Sequence, residues 1–354
     1  MLELELKEYL KKAVESHASD LFIVAGYAVS QKLDGHIQPL NSEILLPPKT
    51  EALIRSIYTL ANRPIESYLQ KGDDDFSFSV SGLARFRVNA YRQRNSMAAV
   101  VRVVSFTIPK WEDIHIPPQV MNIANITHGL VLFTGTAGSG KSTTQACIID
   151  QINHTRDCHI VTLEDPIEYL HRNHKSIVSQ REIAIDTESY LSALRSCLRL
   201  APDVILLGEM RDADTIRTAI TAAETGHTVI ATMHTKGTVN AIDRIIDSFS
   251  DFYQAQIRFQ LATVLQAVVS QQLLPDVSGN VIPAFEVMLI NPAIRGMIRD
   301  NKNYQIENSI LAGHAQGMLS MDQSILALYR EGRISKETAI SYADHPEQML
   351  RQLG

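Results

Sequence analysis

The chain has 354 residues, of which 45% are hydrophobic and 20% charged. At about 100–200 residues per domain this is length for two domains, and a composition near the globular average excludes wholesale disorder. A formal net charge of −6 argues against a broadly basic, nucleic-acid-binding surface. Cys147, Cys158 and Cys197 are odd in number and lack metal-ligand spacing. They read as thiols of a reducing compartment, not as a disulfide framework. The N-terminus is charged from Glu3 onward and has no secretory apolar stretch. No run reaches the roughly 18 uncharged apolar residues of a membrane-spanning helix. The expectation is a soluble, cytoplasmic protein.

Residues 1–20 pattern as an amphipathic helix, with Leu2, Leu4, Leu6, Leu10, Ala13 and Val14 on one face. LFIVAG then reads as a strand. VSQKLDGHIQPL alternates around Asp34-Gly35, a hairpin signal. Residues 48–71 carry a second helical pattern. From Asp73 to Val104 the alternation of Phe76, Phe78 and Val80, and of Phe86, Val88 and Ala90, predicts two or three strands. Together these elements predict an α+β domain over 1–105. FTIPKWEDIHIPP, with Pro109, Pro117 and Pro118, reads as a linker over 106–118.

The second domain, 119–354, has another style. GLVLFTG, HIVTLEDP, DVILLGE and TVIATMHT are continuous apolar runs, as expected of strands buried on both faces of a parallel sheet. Helical patterns at 141–153, 187–200, 212–225 and 238–247 separate them. This alternation predicts an α/β fold with helices on both faces of the sheet. Residues 251–273, 292–300, 321–330 and 335–342 also pattern as helices, so the C-terminal third is expected to be largely a helical appendage.

Gly135-Thr136-Ala137-Gly138-Ser139-Gly140-Lys141-Ser142 fits G-x-x-x-x-G-K-[ST], between an apolar strand and a helix. Glycines let backbone N–H groups converge on phosphate oxygens, and the helix start adds its positive end. Lys141 suits the β- and γ-phosphates and Ser142 the hydroxyl ligand of Mg²⁺. In VILLGEM, Glu209 ends an apolar strand, where a phosphate-binding α/β protein places its metal-side acid. In TLEDPIE, Pro166 breaks a strand and leaves Glu164, Asp165 and Glu168 around one turn. Such acids repel unless a cation compensates. His227 and His234 bracket another strand at i and i+7, on opposite faces, which argues against a shared metal. His234, at the strand's C-terminal end, is placed to sense a γ-phosphate; His227 reads as structural or as a subunit contact.

GTAGSGKSTT, TLEDPIEYLH, SQREI, PDVILLGEMRD, TAAETGHTVIATMHT and DRIID together resemble the secretion-ATPase superfamily of type II secretion and type IV pili. Within it the chain is similar to the PilT-type retraction ATPases. The resemblance runs from SDLFIVAG at 19–26, through ARFRVNAYRQR at 84–94, to GMLSMDQSILALYREGRIS at 317–335. Residues 292–300 resemble the retraction signature AIRNLIRE, with Gly296 for Asn and Asp300 for Glu. In the phosphate loop Thr136 and Ala137 replace a common Pro-Thr, which leaves the backbone cradle intact. The long N-terminal extension and four-cysteine site of the assembly ATPases are not seen.

The resemblance implies a homohexamer with a PAS-like N-terminal domain and a RecA-like core. It implies a Walker A box with ATP on residues 135–143, Thr143 included, an Asp box at 162–168, a Walker B box at 204–209 and a His box at 227–234. Lys141 and Ser142 match the phosphate and Mg²⁺ positions, Glu209 the Walker B glutamate, to polarise the attacking water or to hold Mg²⁺, Glu164 and Glu168 the Asp-box acids, and His227 and His234 the His-box pair. Arg85, Arg87 and Arg102 are candidates to reach a neighbour's nucleotide; on a strand Arg85 and Arg87 share one face. The implied role is Mg-ATP-driven pilus retraction through an inner-membrane platform protein and, indirectly, pilin. The motor would be peripheral at the cytoplasmic face of the membrane, without direct nucleic-acid contact. The competing readings are a secretion or pilus-assembly ATPase and an ATP-binding regulator with little turnover. The acids at 164, 168 and 209 argue against the regulator.

Overall fold

The computed structural model describes residues 2–33, 35–104 and 107–353. It divides into two compact units: 1–107 with Glu168–Leu170, and 108–167 with 171–354.

The first unit is one antiparallel sheet, built from β1 (Asp20–Ile23), β2 (Ser30–Leu33), β3 (His36–Pro39), β4 (Asp73–Val80), β5 (Ala84–Gln93) and β6 (Ser96–Val104), in the order β3-β2-β1-β6-β5-β4. Period-two alternation puts Phe76, Phe78, Phe86, Val88 and Val101 on one face, against helices Leu2–Glu15 and Pro47–Leu60. The first helix buries Leu6, Tyr9, Leu10 and Ala13, whereas Leu4 is 68% exposed and lies off the expected face. Leu33 pairs with His36 across the expected hairpin; Asp34 lies outside the described residues. The pattern at 48–71 is two helices, because Asn62 takes φ 49° and the second begins only at Glu66, after Pro64. On the sheet's other face Arg102 stands opposite both Asp20 and Arg87.

The second unit holds β7 (Gly129–Thr134), β8 (His159–Glu164), β9 (Ile177–Glu182), β10 (Val204–Leu207), β11 (Thr228–Met233), β12 (Leu265–Pro275) and β13 (Val281–Leu289). Their order is β13-β12-β7-β11-β10-β8-β9. All neighbours are parallel except β12 and β13. β7, β10 and β11 are buried along their whole length, as expected for a sheet with helices on both faces. Residue 105, the end of the expected first domain, and residue 106, the start of the expected linker, lie outside the described residues. Ile108, Trp111 and Ile114 pack on the second unit's core, and Ile116 is buried there.

The expected helix at 251–273 is a helix only over Asp251–Val264. From Leu265 the chain is β12, which pairs in parallel with β7 and antiparallel with β13. The C-terminal third is therefore no purely helical appendage: two of its segments extend the core sheet. A short apolar run such as LQAVVSQQLL fits a buried helix or a strand equally by periodicity. The free edge of β7, whose N–H and C=O groups need partners, decides for the strand.

Arg295 and Arg299, at i and i+4, predict one basic face for helix Pro292–Arg299, with Ala293, Ile294, Met297 and Ile298 able to pack inward, and the structure corrects this for Arg295. Its guanidinium donates to the carbonyls of Ala262 (2.5 Å) and Thr263 (2.8 Å), and to Gln266 Oε1 (3.2 Å). It thus caps the helix Asp251–Val264, whose last carbonyls have no partner in their own helix. Arg299 and Ala293 are exposed, while Ile294 and Ile298 are buried.

A polar cross-link runs beneath the sheet's functional edge. Gln145, on helix Lys141–Thr155, donates to Thr232 Oγ1 of β11 (2.9 Å) and accepts from it (3.2 Å). Both residues are buried. Free thiols occupy two separate clusters of the second unit's core, Cys147 in one and Cys197 in the other, and burial pushes the first up to about 12 and the second up to about 11.

These contacts set the stability of the second unit. Arg295→Ala should destabilise it by about 1–3 kcal/mol, the scale of hydrogen bonds from a charged donor, whereas exposed Arg299→Ala should change it by less than about 0.5 kcal/mol. Gln145→Leu should cost about 1–3 kcal/mol by leaving the Thr232 hydroxyl buried and unpaired, and adding Thr232→Val should recover part of that loss. Urea unfolding midpoints measure both.

Candidate functional site

Parallel pairing sets the site. Leu163 of β8 stands beside Leu207 of β10, which stands beside Ala231 of β11, and Met233 stands beside Thr134 of β7. The C-terminal ends of these strands therefore gather their residues at one edge of the sheet: the glycine loop after β7, Glu164 on β8, Gly208-Glu209 after β10 and His234 after β11. In open α/β sheets, ligands bind at this carboxyl edge.

The loop Gly135–Gly140 turns directly into helix Lys141–Thr155, with Gly140 at its N-cap in the left-handed region, φ 84°. Gly135 has φ 141°, and a Cβ there would collide with the Gln271 carbonyl oxygen and come within 2.7 Å of Ser139 Oγ. Strand β12 is thus the floor of the loop. Gln271 also accepts from Thr144 Oγ1 (2.9 Å), which ties the floor to the helix. Lys141 is 6% exposed, and its ammonium donates to the carbonyls of Gly135 and Thr136, both at 2.8 Å. Thr136, Ala137 and Gly138 are exposed, Ser139 is buried, and Gly140, Ser142 and Thr143 are half-buried.

Glu209 sits between two basic side chains. Arg211 Nη2 is 2.6 Å from Oε2, and His234 Nε2 is 3.3 Å from Oε1. The Glu209 carboxylate raises the Arg211 guanidinium above its ordinary value. Glu164 accepts from Thr162 Oγ1 (2.5 Å) and Gln180 Nε2 (3.3 Å), and β9 places Glu182 beside it in register. Gly208 has no side chain for a packing reason. A Cβ would lie 2.8 Å from the Tyr190 hydroxyl and 3.0 Å from the Leu163 carbonyl.

Not every expected residue joins this edge. His227 stands before β11 and His234 after it, about 23 Å apart at 3.3 Å per residue. The His227 ring nitrogen Nδ1 lies 2.9 Å from the Ala222 carbonyl and 3.1 Å from Thr225 Oγ1, which closes the end of helix Ala213–Glu224. Glu168 is grouped with the first unit. Within that unit Arg87 grips Asp75 with two bonds (3.1 and 2.6 Å), Arg102 binds Asp20 (3.0 Å), and Arg85 alternates onto the same face as Arg87.

Sequence reasoning missed Gln271, Gln145, Thr232 and Tyr190. Gln271 lay in a segment read as helix, Thr232 lies inside the His box without an expected role, and Gln145 and Tyr190 lie outside the motifs. It also missed a cavity of about 430 Å³ that opens beside Gly140, Thr143 and Thr144. His115 and Arg333 help wall it, with Arg333 Nη2 donating to His115 Nε2 at 2.8 Å.

No helix among the described residues is long and apolar enough to cross a membrane. Residues 1–281 match the family model described as type II/IV secretion system protein. The chain is 41% identical over 345 residues to the type IV pilus retractation ATPase PilT of Pseudomonas aeruginosa, covering 97% of this chain and 99% of that protein. It is 42% identical over 319 residues to a twitching motility protein of Neisseria gonorrhoeae, covering 90% and 85%. A crystal structure of the pilus retraction motor PilT with bound ADP matches with a TM-score of 0.88 at 41% identity, over 97% of this chain and 98% of that one. A phosphate-loop strand edge and near full-length identity of this order lead to one conclusion: the chain belongs to the type II/IV secretion system protein family.

Proposed function

We propose that this chain is an ATP-hydrolysing motor that drives retraction of a type IV pilus. The observation that carries the reading is the pairing of a glycine-loop lysine with a strand-end glutamate on one sheet edge, Lys141 after β7 and Glu209 after β10. Near full-length similarity to a pilus retraction motor and to a twitching motility protein supports the biological direction.

The residues fit a magnesium nucleotide. Lys141 exchanges the Gly135 and Thr136 carbonyls for β- and γ-phosphate oxygens, stronger partners for an ammonium. The backbone of 135–140 and the start of helix Lys141–Thr155 supply N–H donors. The cavity beside Gly140, Thr143 and Thr144 receives the nucleoside. Ser142 and Glu209 would hold Mg²⁺, which offsets phosphate charge during transfer. Glu209 takes the proton of the attacking water, and His234, 3.3 Å from it, orients that carboxylate and senses the γ-phosphate. Glu164 and Glu168 complete the acidic side. His227, bonded at the far end of β11, acts structurally or at a subunit contact.

The active assembly is a homohexamer whose sites are completed by Arg85, Arg87 and Arg102 of a neighbouring copy. A phosphoryl transition state gains from such an added cation. Arg87 and Arg102 would have to exchange Asp75 and Asp20 for phosphate. The motor works at the cytoplasmic face of the inner membrane, on a platform protein that passes the motion to pilin.

Steady-state hydrolysis and nucleotide binding test the site. Lys141→Ala should lose tight ATP binding and all turnover while remaining folded. Glu209→Gln should still bind ATP and lose at least about a hundredfold in turnover, the scale of general-base catalysis. Wild-type turnover in Lys141→Ala would refute the phosphate-loop assignment.

A mixing experiment tests the shared sites. Lys141→Ala subunits mixed with Arg85→Ala/Arg87→Ala/Arg102→Ala subunits should regain activity, since an intact loop then faces intact arginines. No recovery in confirmed mixed assemblies would remove these arginines from the site.

A further inference from the structure

The last helix, Pro346–Leu353, is eight residues long and fully buries one side chain, Met349. A helix this short is not stable by itself, so its seat depends on the turn that leads into it. One carboxylate holds that turn. Asp322, in the first turn of helix Met321–Arg330, accepts from Asp344 N–H (2.7 Å) and His345 N–H (3.1 Å), and its Oδ2 also lies 3.1 Å from His345 Nδ1. The other ring nitrogen, Nε2, lies 3.3 Å from Glu307 Oε1 on helix Ile306–Ala312. One imidazole thus stands between the carboxylates of two helices.

The surroundings are acidic. Glu286 of β13, Glu307, Asp322, Asp344 and His345 line one cavity of about 310 Å³, whose other lining residues are uncharged. Helix Lys336–Tyr342, which packs on the last helix, adds no residue to that lining. Asp344 pairs with Lys236 (3.0 Å), from the loop between His234 and helix Thr238–Asp247. Glu286 accepts from Thr238 N–H (2.7 Å), and burial raises it above the ordinary carboxylate value. A bond from His345 to each of its two carboxylates needs a proton on both ring nitrogens, which only the imidazolium has. The neutral ring donates once and turns a lone pair on the other carboxylate, which repels it. The ring is 44% exposed, so water can take its proton. We infer that His345 is a pH-sensitive clamp on the C-terminal helix. Its imidazolium bridges Glu307 and Asp322 and seats Pro346–Leu353. Stabilisation is present while the ring is protonated and is lost as rising pH removes the proton. Through Asp344 and Lys236 the same turn is tied to the loop that leaves His234. The clamp goes beyond the motor reading and does not rest on it.

Amide hydrogen exchange in the nucleotide-free full chain tests the clamp without any hydrolysis. Exchange of peptides covering 346–353 is compared at about pH 5.5 and about pH 8, on either side of the imidazole range, after correction for intrinsic exchange rates. Protection should fall about two- to fivefold at the higher pH, the scale of a partly exposed ion pair, while β7 peptides stay level. His345→Gln keeps a donor at every pH and should abolish the step. Glu307→Gln removes one of the two carboxylates and should shrink it. Should His345→Gln leave the helix unprotected at both pH values, Glu307→Gln decides, and a full wild-type step there overturns the inference. Wild-type protection that does not change with pH also overturns it. So does a step that persists in full in His345→Gln, which would assign the titration to another group of the cavity such as Glu286.

Discussion

Parallel strand pairing is the constraint on which the site depends. Because β7, β8, β10 and β11 run the same way in register, four separated segments end side by side. None of Lys141, Glu164, Glu209 and His234 is near the others by local structure. Antiparallel pairing of any one strand would send its end residue to the opposite edge. His227 shows the geometry in reverse: it precedes β11, so the same strand carries it away from the edge to which it brings His234.

The second requirement is a floor for the glycine loop. β12 provides it by closing the open edge of β7, and the Gln271 backbone leaves no room for a side chain at Gly135. The same residue's side-chain carbonyl accepts from Thr144, so loop, helix and sheet meet on one residue. The adjacent Gln145–Thr232 pair makes a second such tie, linking the helix behind the loop to the strand that carries His234. Movement of the loop relative to the Glu209 cluster must strain these buried bonds.

Charge decides the rest of the arrangement. Acids collected at one edge are unstable together without compensation. Glu209 has Arg211 and His234, and Glu164 has Thr162 and Gln180. Arg295 makes the complementary point, because a cation read as surface charge is spent on the carbonyls of a helix end. In the first unit Arg87 and Arg102 likewise already hold carboxylates. Identical residue types thus serve structure or chemistry according to what the fold places beside them.

The sequence alone carried the glycine loop, the acid after β10, the acidic turn after β8 and four of the seven strands of the second sheet. These are local signals: a backbone conformation that needs glycine, or an apolar run long enough to be buried on both faces. Only tertiary structure decided the strand identity of 265–275, since periodicity leaves a short apolar run ambiguous until an unpaired strand edge lies beside it. It also decided that Arg295 caps a helix and that Gln271 and Tyr190 stand at the site. Each of these rests on contacts between residues distant in the chain, which no local pattern encodes.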